Sequence, residues 1–360
     1  MLRAIFPILR LFFLRKAEIV KPRKILIIRS GAIGDVLMTT PLIKSIRSRF
    51  PKSEISYLCG KWSKEAIETN HDVDKLIVFD DDIIFKKKLF RVFKLVKKIK
   101  KQKFDLCFIL DKSYLWNLFA YFCRVPVRIG FDRFGEGFSN THNVRYDGSK
   151  HEVDYYLDIA RLINAKVYDK MEFFVAKKDV IFADKFFSRN KLSNVIGIAP
   201  GGAGNPGQKM FAKRWPKGKY EKLIEVLLKK HDIILFGGKN DVEITREILN
   251  NLRNKGLNNK ILDTAGKVNL KQTAALMKKC KLVISNDSGP MHLAVAVGAP
   301  LIAIFGPTDP KRFGPRKGVV LRKKIKCTPC YDVYGRFRKC EDYRCMESIS
   351  VDDILANIRR

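Results

Sequence analysis

From Pro22 onward the chain alternates short runs of aliphatic and β-branched residues with longer stretches whose apolar residues recur every three or four positions. The first pattern belongs to buried strands and the second to helices that cover them, so together they predict parallel α/β layers. In the first half the candidate strands are 25–29, 55–59, 76–79, 106–110 and 127–129. The clearest helix spans 85–101, where Leu89, Phe93, Val96 and Ile99 mark one face and lysines fill the other. A second helix is expected at 152–164. Patterning then weakens through 171–190, the place for an interdomain connection. A second α/β set follows, with strands at 195–199, 233–236, 261–262, 282–285 and 301–305. Ligands of open parallel sheets bind at the strand carboxyl ends, and two such sets facing one another would share a cleft there.

Composition agrees with two packed domains: 360 residues, 46% apolar and 11% aromatic, are ample for two cores. Charge adds a constraint. Lysine and arginine number 71 against 37 acids, a formal net charge of +34. So apolar a chain is no disordered polycation, but its field attracts anions, whether nucleic acid, lipid headgroups or phosphorylated small molecules. No zinc-finger, RNP or basic-zipper pattern converts that charge into nucleic-acid recognition. At the N-terminus the longest uncharged stretch, 4–9, is too short to span a bilayer or to serve as a secretory signal, so a cytoplasmic protein is expected. The 1–20 arm sets Ile5, Phe6, Ile8, Leu9, Phe12 and Phe13 among Arg3, Arg10 and Arg15. It suits either an anionic membrane surface or a helix packed on the body. The lysines of the 86–103 stretch read as a solvated face or as a membrane-facing patch.

Three segments carry candidate chemistry. The first strand runs into Arg29-Ser30-Gly31-Ala32-Ile33-Gly34-Asp35-Val36, which puts Asp35 at a strand's carboxyl end. A carboxylate there can act as general base toward a hydroxyl, or it can cap the following helix. That helix meets Pro41, and so either kinks or restarts at Thr40. The second segment is Pro200-Gly201-Gly202-Ala203-Gly204-Asn205-Pro206-Gly207, formally G-x-G-x-x-G. No helix opens directly after it, Gln208 stands where a P-loop lysine would be, and both nucleotide fingerprints therefore fail. What remains is a loop whose Lys209, Lys213 and Arg214 suit a phosphate. The third is Asn286-Asp287-Ser288-Gly289-Pro290-Met291-His292, where a strand ends in small polar residues and a helix begins. Free backbone N–H groups and the helix dipole make an anion site there, with Ser288 and Gly289 as donors and Asp287 as acceptor for sugar hydroxyls. Asp80-Asp81-Asp82 contains D-x-D, but the lysines that follow favour a solvated turn over a metal site. Cys327-x2-Cys330 and Cys340-x4-Cys345 have a spacing open to zinc, to disulfides or to reduced thiols, whereas Cys59, Cys107, Cys123 and Cys280 read as buried thiols.

Taken together, Ser30-Gly31-Ala32-Ile33-Gly34-Asp35-Val36 with Thr40-Pro41, Pro200-Gly201-Gly202 with Ala212-Lys213-Arg214-Trp215-Pro216, Asn286 to His292 and Phe305-Gly306-Pro307-Thr308 closely resemble glycosyltransferase family 9. Its members include the bacterial heptosyltransferases of lipopolysaccharide core assembly. The resemblance runs from about Lys24 to the end and implies the GT-B fold, two Rossmann-like doubly wound parallel-sheet domains facing a central cleft. Its implied layout is the arm at 1–20, an acceptor domain at 21–186, a nucleotide-sugar domain at 187–346 and a C-terminal helix at 347–360. It also implies an inverting, metal-independent transfer from ADP-heptose, or another nucleotide sugar, to a lipid-linked saccharide. On that resemblance no cofactor would be required. Asp35 and Lys213 would be catalytic. The donor would be held by Gly201, Gly202, Lys213, Arg214, Glu243, Asp287, Ser288, Gly289 and His292, with Asp241 competing with Glu243 for the ribose. Gly34 and Arg128 would meet the acceptor. The four clustered cysteines would then be architectural. A monomer working peripherally on the cytoplasmic face of the inner membrane is the expectation. The reading from another class is a non-catalytic protein that binds anionic membrane or nucleic acid, which rests on the net charge alone.

Overall fold

Ile25, Leu26, Ile27 and Ile28 are all fully buried, as strand residues must be when helices cover both faces of a sheet. They form β1 (Lys24–Ile28), the centre of the first of two compact units, Met1–Met171 and Glu172–Arg360. The computed structural model describes residues 6, 9–11, 13, 17–19, 21–85, 89–202, 204–205, 208–257, 261–337, 340 and 342–358. The other strands of the first unit are β2 (Glu54–Gly60), β3 (Lys75–Phe79), β4 (Leu106–Ile109), β5 (Val127–Asp132) and β6 (His142–Arg145). All pair in parallel in the order β3-β2-β1-β4-β5-β6. Its helices are α1 (Ile33–Leu37), α2 (Thr40–Arg49), α3 (Asp82–Phe85), α4 (Leu89–Lys100), α5 (Tyr114–Phe122) and α6 (Glu152–Leu162).

The second unit repeats the plan. Its strands are β7 (Val195–Ala199), a short hairpin of β8 (Gly204–Asn205) and β9 (Gln208–Lys209), β10 (Asp232–Leu235), β11 (Ile261–Asp263), β12 (Leu282–Asn286), β13 (Leu301–Ile304) and β14 (Val319–Leu321). The main sheet runs β11-β10-β7-β12-β13-β14, again parallel throughout. Helices α7 (Lys177–Arg189), α8 (Lys217–Leu227), α9 (Val242–Asn254), α10 (Leu270–Lys279), α11 (Gly289–Val297), α12 (Pro310–Phe313), α13 (Arg344–Glu347) and α14 (Val351–Ile358) surround it. Both sheets have the doubly wound dinucleotide-binding order, in which strand direction of travel reverses beside the first strand and opens a crevice at the carboxyl ends. That switch point lies between β1 and β4 in one unit and between β7 and β12 in the other.

Several expectations need correcting. The 171–190 stretch is not a bare connection, because α7 occupies most of it and belongs to the second unit. Only Asp179, Ala183 and Phe187 are buried there, a narrow stripe, while Val180 and Ile181 are exposed and blur the pattern. On α4 the buried stripe is Leu95 and Ile99, with Val92 and Val96 partly covered; Phe93, expected inside, is 70% exposed beside an equally exposed Phe90. In the arm, Phe6 is buried, stacks on Phe138 at 5.4 Å and meets Tyr114, and Phe13 meets Tyr121 edge-on. The described part of the arm is therefore packed on the first unit, while Leu11 stays exposed; most of 1–16 and Lys86, Lys87 and Lys88 lie outside the described residues. Among the described residues no helix is long and apolar enough to cross a membrane.

Candidate active site

At the first switch point the turn after β1 is fixed by ionic contacts. Arg29 reaches Asp35 Oδ1 with Nη2 at 2.8 Å and Asp111 Oδ1 with Nη1 at 2.7 Å. Asp111, directly beyond β4, also accepts the Ser30 N–H at 2.7 Å and the Ser30 hydroxyl at 2.9 Å. Burial alone would weaken the Arg29 charge, but Tyr156, Asp35, Asp111 and Glu152 hold its pKa above the ordinary value. Gly31 is needed here because an added Cβ would stand 2.6 Å from Asp35 Oδ2. The helix after this turn does restart: α1 ends at Leu37 and α2 begins at Thr40 with Pro41 in its first turn.

Asp35 caps the following helix and still reaches solvent. Its Oδ2 accepts the Ala32 N–H at 2.9 Å, which caps α1 from the third helical position, and its side chain is still one third exposed. Gly34 is buried just before it. Arg128 is placed otherwise than expected. It is buried on β5, its Nε donates to the Ser139 carbonyl at 2.9 Å and its Nη1 to the Val125 carbonyl at 2.6 Å, so the side chain is spent on bracing the sheet edge.

The second switch point is built around Asn286 at the end of β12. Its amide donates to the Pro200 and Gly201 carbonyls at 3.0 and 3.1 Å, and its Oδ1 accepts from the Trp215 N–H and the Tyr220 hydroxyl. One buried side chain thus ties the β7 turn, the Lys213–Trp215 segment and α8 together. Gly202 has φ +85°, and an added Cβ would lie 2.5 Å from Ser288 Cβ, so this glycine brings backbone directly against the start of α11, while a Cβ at Gly201 would lie 2.3 Å from Asp241 Oδ1. Ser288 is the N-cap of α11 and Pro290 stands in its first turn, which leaves the helix's leading N–H groups and positive dipole end available to an anion.

Lys213 Nζ lies 2.7 Å from Asp287 Oδ2, which also accepts the Thr308 hydroxyl at 2.6 Å. Burial pushes the Asp287 carboxyl up, and the charges of Lys213 and His292 with the Thr308 bond more than offset it, so it sits below the usual carboxylate range. An ammonium has three donors, and the Lys213 contact with Asp287 uses one. Asp241 and Glu243, the two candidates for the ribose, are placed differently. Asp241 is buried and accepts the Gly202 and Gly238 N–H groups at 2.8 and 3.0 Å, with Arg214 at 3.3 Å. Glu243 is exposed in the first turn of α9. Arg214 is likewise committed inward, its Nε donating to the Gly202 carbonyl.

The acids of 80–82 serve their own loop: Asp80 pairs with Arg91, and Asp81 accepts the Trp62 N–H at 2.9 Å. All eight cysteines are free. Among the described residues no group of three or more histidine, cysteine or acidic side chains is arranged to hold a metal ion. Burial, with smaller contributions from Cys330, Cys340 and Cys327, pushes the Cys345 thiol up to about 11.

Sequence reasoning missed Asp111, Lys112, Glu152 and Tyr156, and it quoted Asn286 without giving it a role. The signal for the first pair was available: two charged residues directly after the apolar run Leu106 to Leu110 occupy a switch-point position.

Two Rossmann-type units, each with polar side chains at its switch point, make up the GT-B fold. The chain belongs to glycosyltransferase family 9 (heptosyltransferase), whose sequence profile matches residues 92–340. It is 28% identical over 318 residues to lipooligosaccharide heptosyltransferase 2 of Haemophilus ducreyi, covering 83% of this chain and 88% of that one. With lipopolysaccharide heptosyltransferase 2 of Salmonella typhimurium the identity is 26% over 306 residues, 80% and 84% of the two chains. Among solved structures, the family 9 glycosyl transferase of Veillonella parvula superposes with a TM-score of 0.77 at 23% identity, covering 96% and 98%. The ADP-heptose lipopolysaccharide heptosyltransferase II of E. coli gives 0.73 at 24%, covering 93% and 97%.

Proposed function

We propose that the protein transfers a heptose from ADP-heptose to a saccharide of the lipopolysaccharide core, with inversion and without a metal ion. The observation that carries the reading is the division of chemistry between the units. The first holds a carboxylate one third exposed, Asp35, on a rigid turn, and the second holds a lysine beside a helix N-terminus. In this mechanism Asp35 takes the proton of the attacking acceptor hydroxyl as its oxygen bonds to the anomeric carbon on the face opposite the leaving group. Departing ADP leaves with the electron pair of the broken bond. Lys213 and the N–H groups at Ser288 and Gly289 neutralise the charge that develops on its diphosphate, the task a metal performs elsewhere. Gly201 and Gly202 give the donor close backbone approach, Asp287 and His292 shape the sugar pocket, and Glu243 accepts from the ribose. Arg214 supports this loop from behind, and Gly34 lets the acceptor approach beside Asp35. Arg128 has no part in it.

A lipid acceptor requires work at a membrane surface, and the first unit carries a suitable one. Phe90 and Phe93 project from α4 at 74% and 70% exposure, one turn apart, on a helix that also bears Arg91, Lys94, Lys97 and Lys98. Exposed aromatic residues ringed by cations suit an anionic headgroup layer. The direct test of the donor is thermal stabilisation across a panel of nucleotide sugars, since a ligand that binds only the folded state raises its apparent stability. ADP-heptose and ADP should raise Tm. Stabilisation by a different nucleotide sugar alone would replace the donor and keep the reaction class, and stabilisation by none would defeat the reading.

A further inference from the structure

At the second switch point three backbone groups lie outside the sheet and the helices: the Pro200 and Gly201 carbonyls beyond β7, and the Trp215 N–H ahead of α8. The Asn286 side chain, 1% exposed at the end of β12, serves all three. Its oxygen also accepts the Tyr220 hydroxyl at 2.9 Å. An asparagine amide has two donors and two lone pairs, so every capacity is used. The partners also fix which end of the amide is which, because two carbonyls can meet only its NH2 and the Trp215 N–H only its oxygen. A leucine of the same shape would leave all three backbone groups without this partner, and an aspartate would set an oxygen against two carbonyls. The main chain of Asn286 reaches further, since its carbonyl accepts the Ser288 hydroxyl at 3.2 Å and so adds the N-cap of α11 to the tie. A fully satisfied buried network of this kind rigidifies the segments it joins.

What the network rigidifies is the backbone around Lys213. The Lys213 N–H closes a tight turn onto the Met210 carbonyl at 2.9 Å. Arg214 follows, its Nε donating to the Gly202 carbonyl at 3.0 Å. Trp215 comes next, with its N–H on Asn286 and its indole Nε1 on the Ile349 carbonyl at 3.0 Å. Both residues after Lys213 are therefore anchored, and Asn286 joins that anchor to the β7 turn. Asp287, the residue after Asn286, takes the Lys213 ammonium at 2.7 Å. Two consecutive residues thus hold one lysine at both ends, Asn286 through the backbone and Asp287 at the charge. A lysine is a point charge on a flexible four-carbon stem, so a grip on its tip leaves its reach undefined unless the backbone beneath is fixed.

We propose that Asn286 is a positioning residue for Lys213: it locks the lysine's backbone to the β7 turn and to the start of α11, so that the ammonium is presented to the donor's diphosphate at a fixed reach. This rests on Lys213 being a phosphate contact. The test is a double-mutant cycle with Lys213→Ala. Asn286→Asp keeps the size of the side chain and the oxygen for Trp215, but it loses both donors to the β7 turn. ADP affinity by calorimetry, kcat and the KM of each substrate are measured below the unfolding temperature of every variant. With Lys213 present, Asn286→Asp should weaken ADP binding, raise the donor KM and lower kcat by up to about 10²-fold, the cost of a misplacement of roughly 1 Å, while the acceptor KM stays unchanged. With Lys213→Ala already in place, the same substitution should change ADP affinity and kcat little further, because the group it misplaces is gone. A purely structural asparagine would lower Tm and leave the kinetics alone, or would weaken ADP binding by the same factor in both backgrounds. Either result overturns the proposal, as does a rise in acceptor KM equal to that in donor KM. If Asn286→Asp does not fold, Asn286→Ser, which removes the amide altogether, is taken through the same cycle and read in the same way. Unchanged ADP affinity in Lys213→Ala by itself would instead remove the lysine from the site, and this proposal with it.

Discussion

A single carboxylate does most of the chemical work in this account, and its surroundings tell what its removal should do. Asp35→Asn keeps the size of the side chain and an acceptor oxygen for the Ala32 N–H, so the α1 cap survives in large part. General-base catalysis contributes about 10² to 10⁴-fold in rate, and kcat should fall within that range while ADP affinity, measured by calorimetry, stays as it was. Lys213→Ala should behave differently. A phosphate contact exists before the transition state and strengthens in it, so both ADP affinity and kcat should drop, and unchanged ADP affinity would remove Lys213 from the site. Asp35, Asp287 and Ser288 could be named from local sequence because each follows closely on a strand end that the hydrophobic pattern marks, whereas Lys213, well beyond the end of β7, was named from its cationic loop and the family resemblance. Lys112 and Glu152 could not be paired that way, since forty positions separate them and only the return of the chain through β5 and β6 brings them together. Arg128 misled for a related reason: nothing local distinguishes a cation that faces a ligand from one that braces carbonyls.

At the level of elements, the turn between β7 and β8 tolerates little change. Gly202 combines φ +85° with a Cβ direction blocked by Ser288, so Gly202→Ala meets backbone strain and a clash together. A loss on the order of 1–3 kcal/mol is expected, read as a fall in Tm, with donor affinity reduced because the start of α11 is displaced. The same substitution at Gly218 in α8 meets nothing within 4 Å and should leave donor affinity unchanged with Tm no lower. The central strands were readable because both of their faces are covered and their residues are almost uniformly apolar. The edge strands were not: β6, His-Asn-Val-Arg, has one buried residue, and β14 has three half-buried ones, so neither rises above its surroundings. Helix α7 escaped notice through its narrow buried stripe, and α4 was found with its apolar face partly misassigned, since Phe93 points to solvent.

For the whole molecule, two quantities follow from its charge. Asp287 and Glu152 both have carboxyls held below their ordinary range in the folded state, each against the pull of burial. A depressed carboxyl contributes stability that is fully present above the unfolded value, about 4, and is lost as pH falls through the folded one. Tm should therefore be level from neutral pH down to about 5 and fall steeply below about 4, and Glu152→Gln should flatten that acid slope. Binding to vesicles containing anionic lipid should weaken steeply with salt, since each cation near the surface contributes about 1 kcal/mol within a Debye length. Phe90→Ser with Phe93→Ser should reduce vesicle binding and turnover on membrane-embedded acceptor while leaving turnover on a delipidated acceptor unchanged. Equal losses on both acceptors would return α4 to an ordinary structural role.

The central claim is that this chain moves a heptose from ADP-heptose with Asp35 as base, and one measurement addresses it most directly. Purified protein is incubated with ADP-heptose and heptose-deficient lipopolysaccharide core, and the acceptor mass and released ADP are followed together for the wild type and for Asp35→Asn. The account predicts that the wild type adds one heptosyl unit for each ADP released, and that Asp35→Asn binds ADP normally but transfers about 10² to 10⁴-fold more slowly. Transfer by Asp35→Asn at the wild-type rate, or release of ADP by the wild type without any gain in acceptor mass, would contradict it.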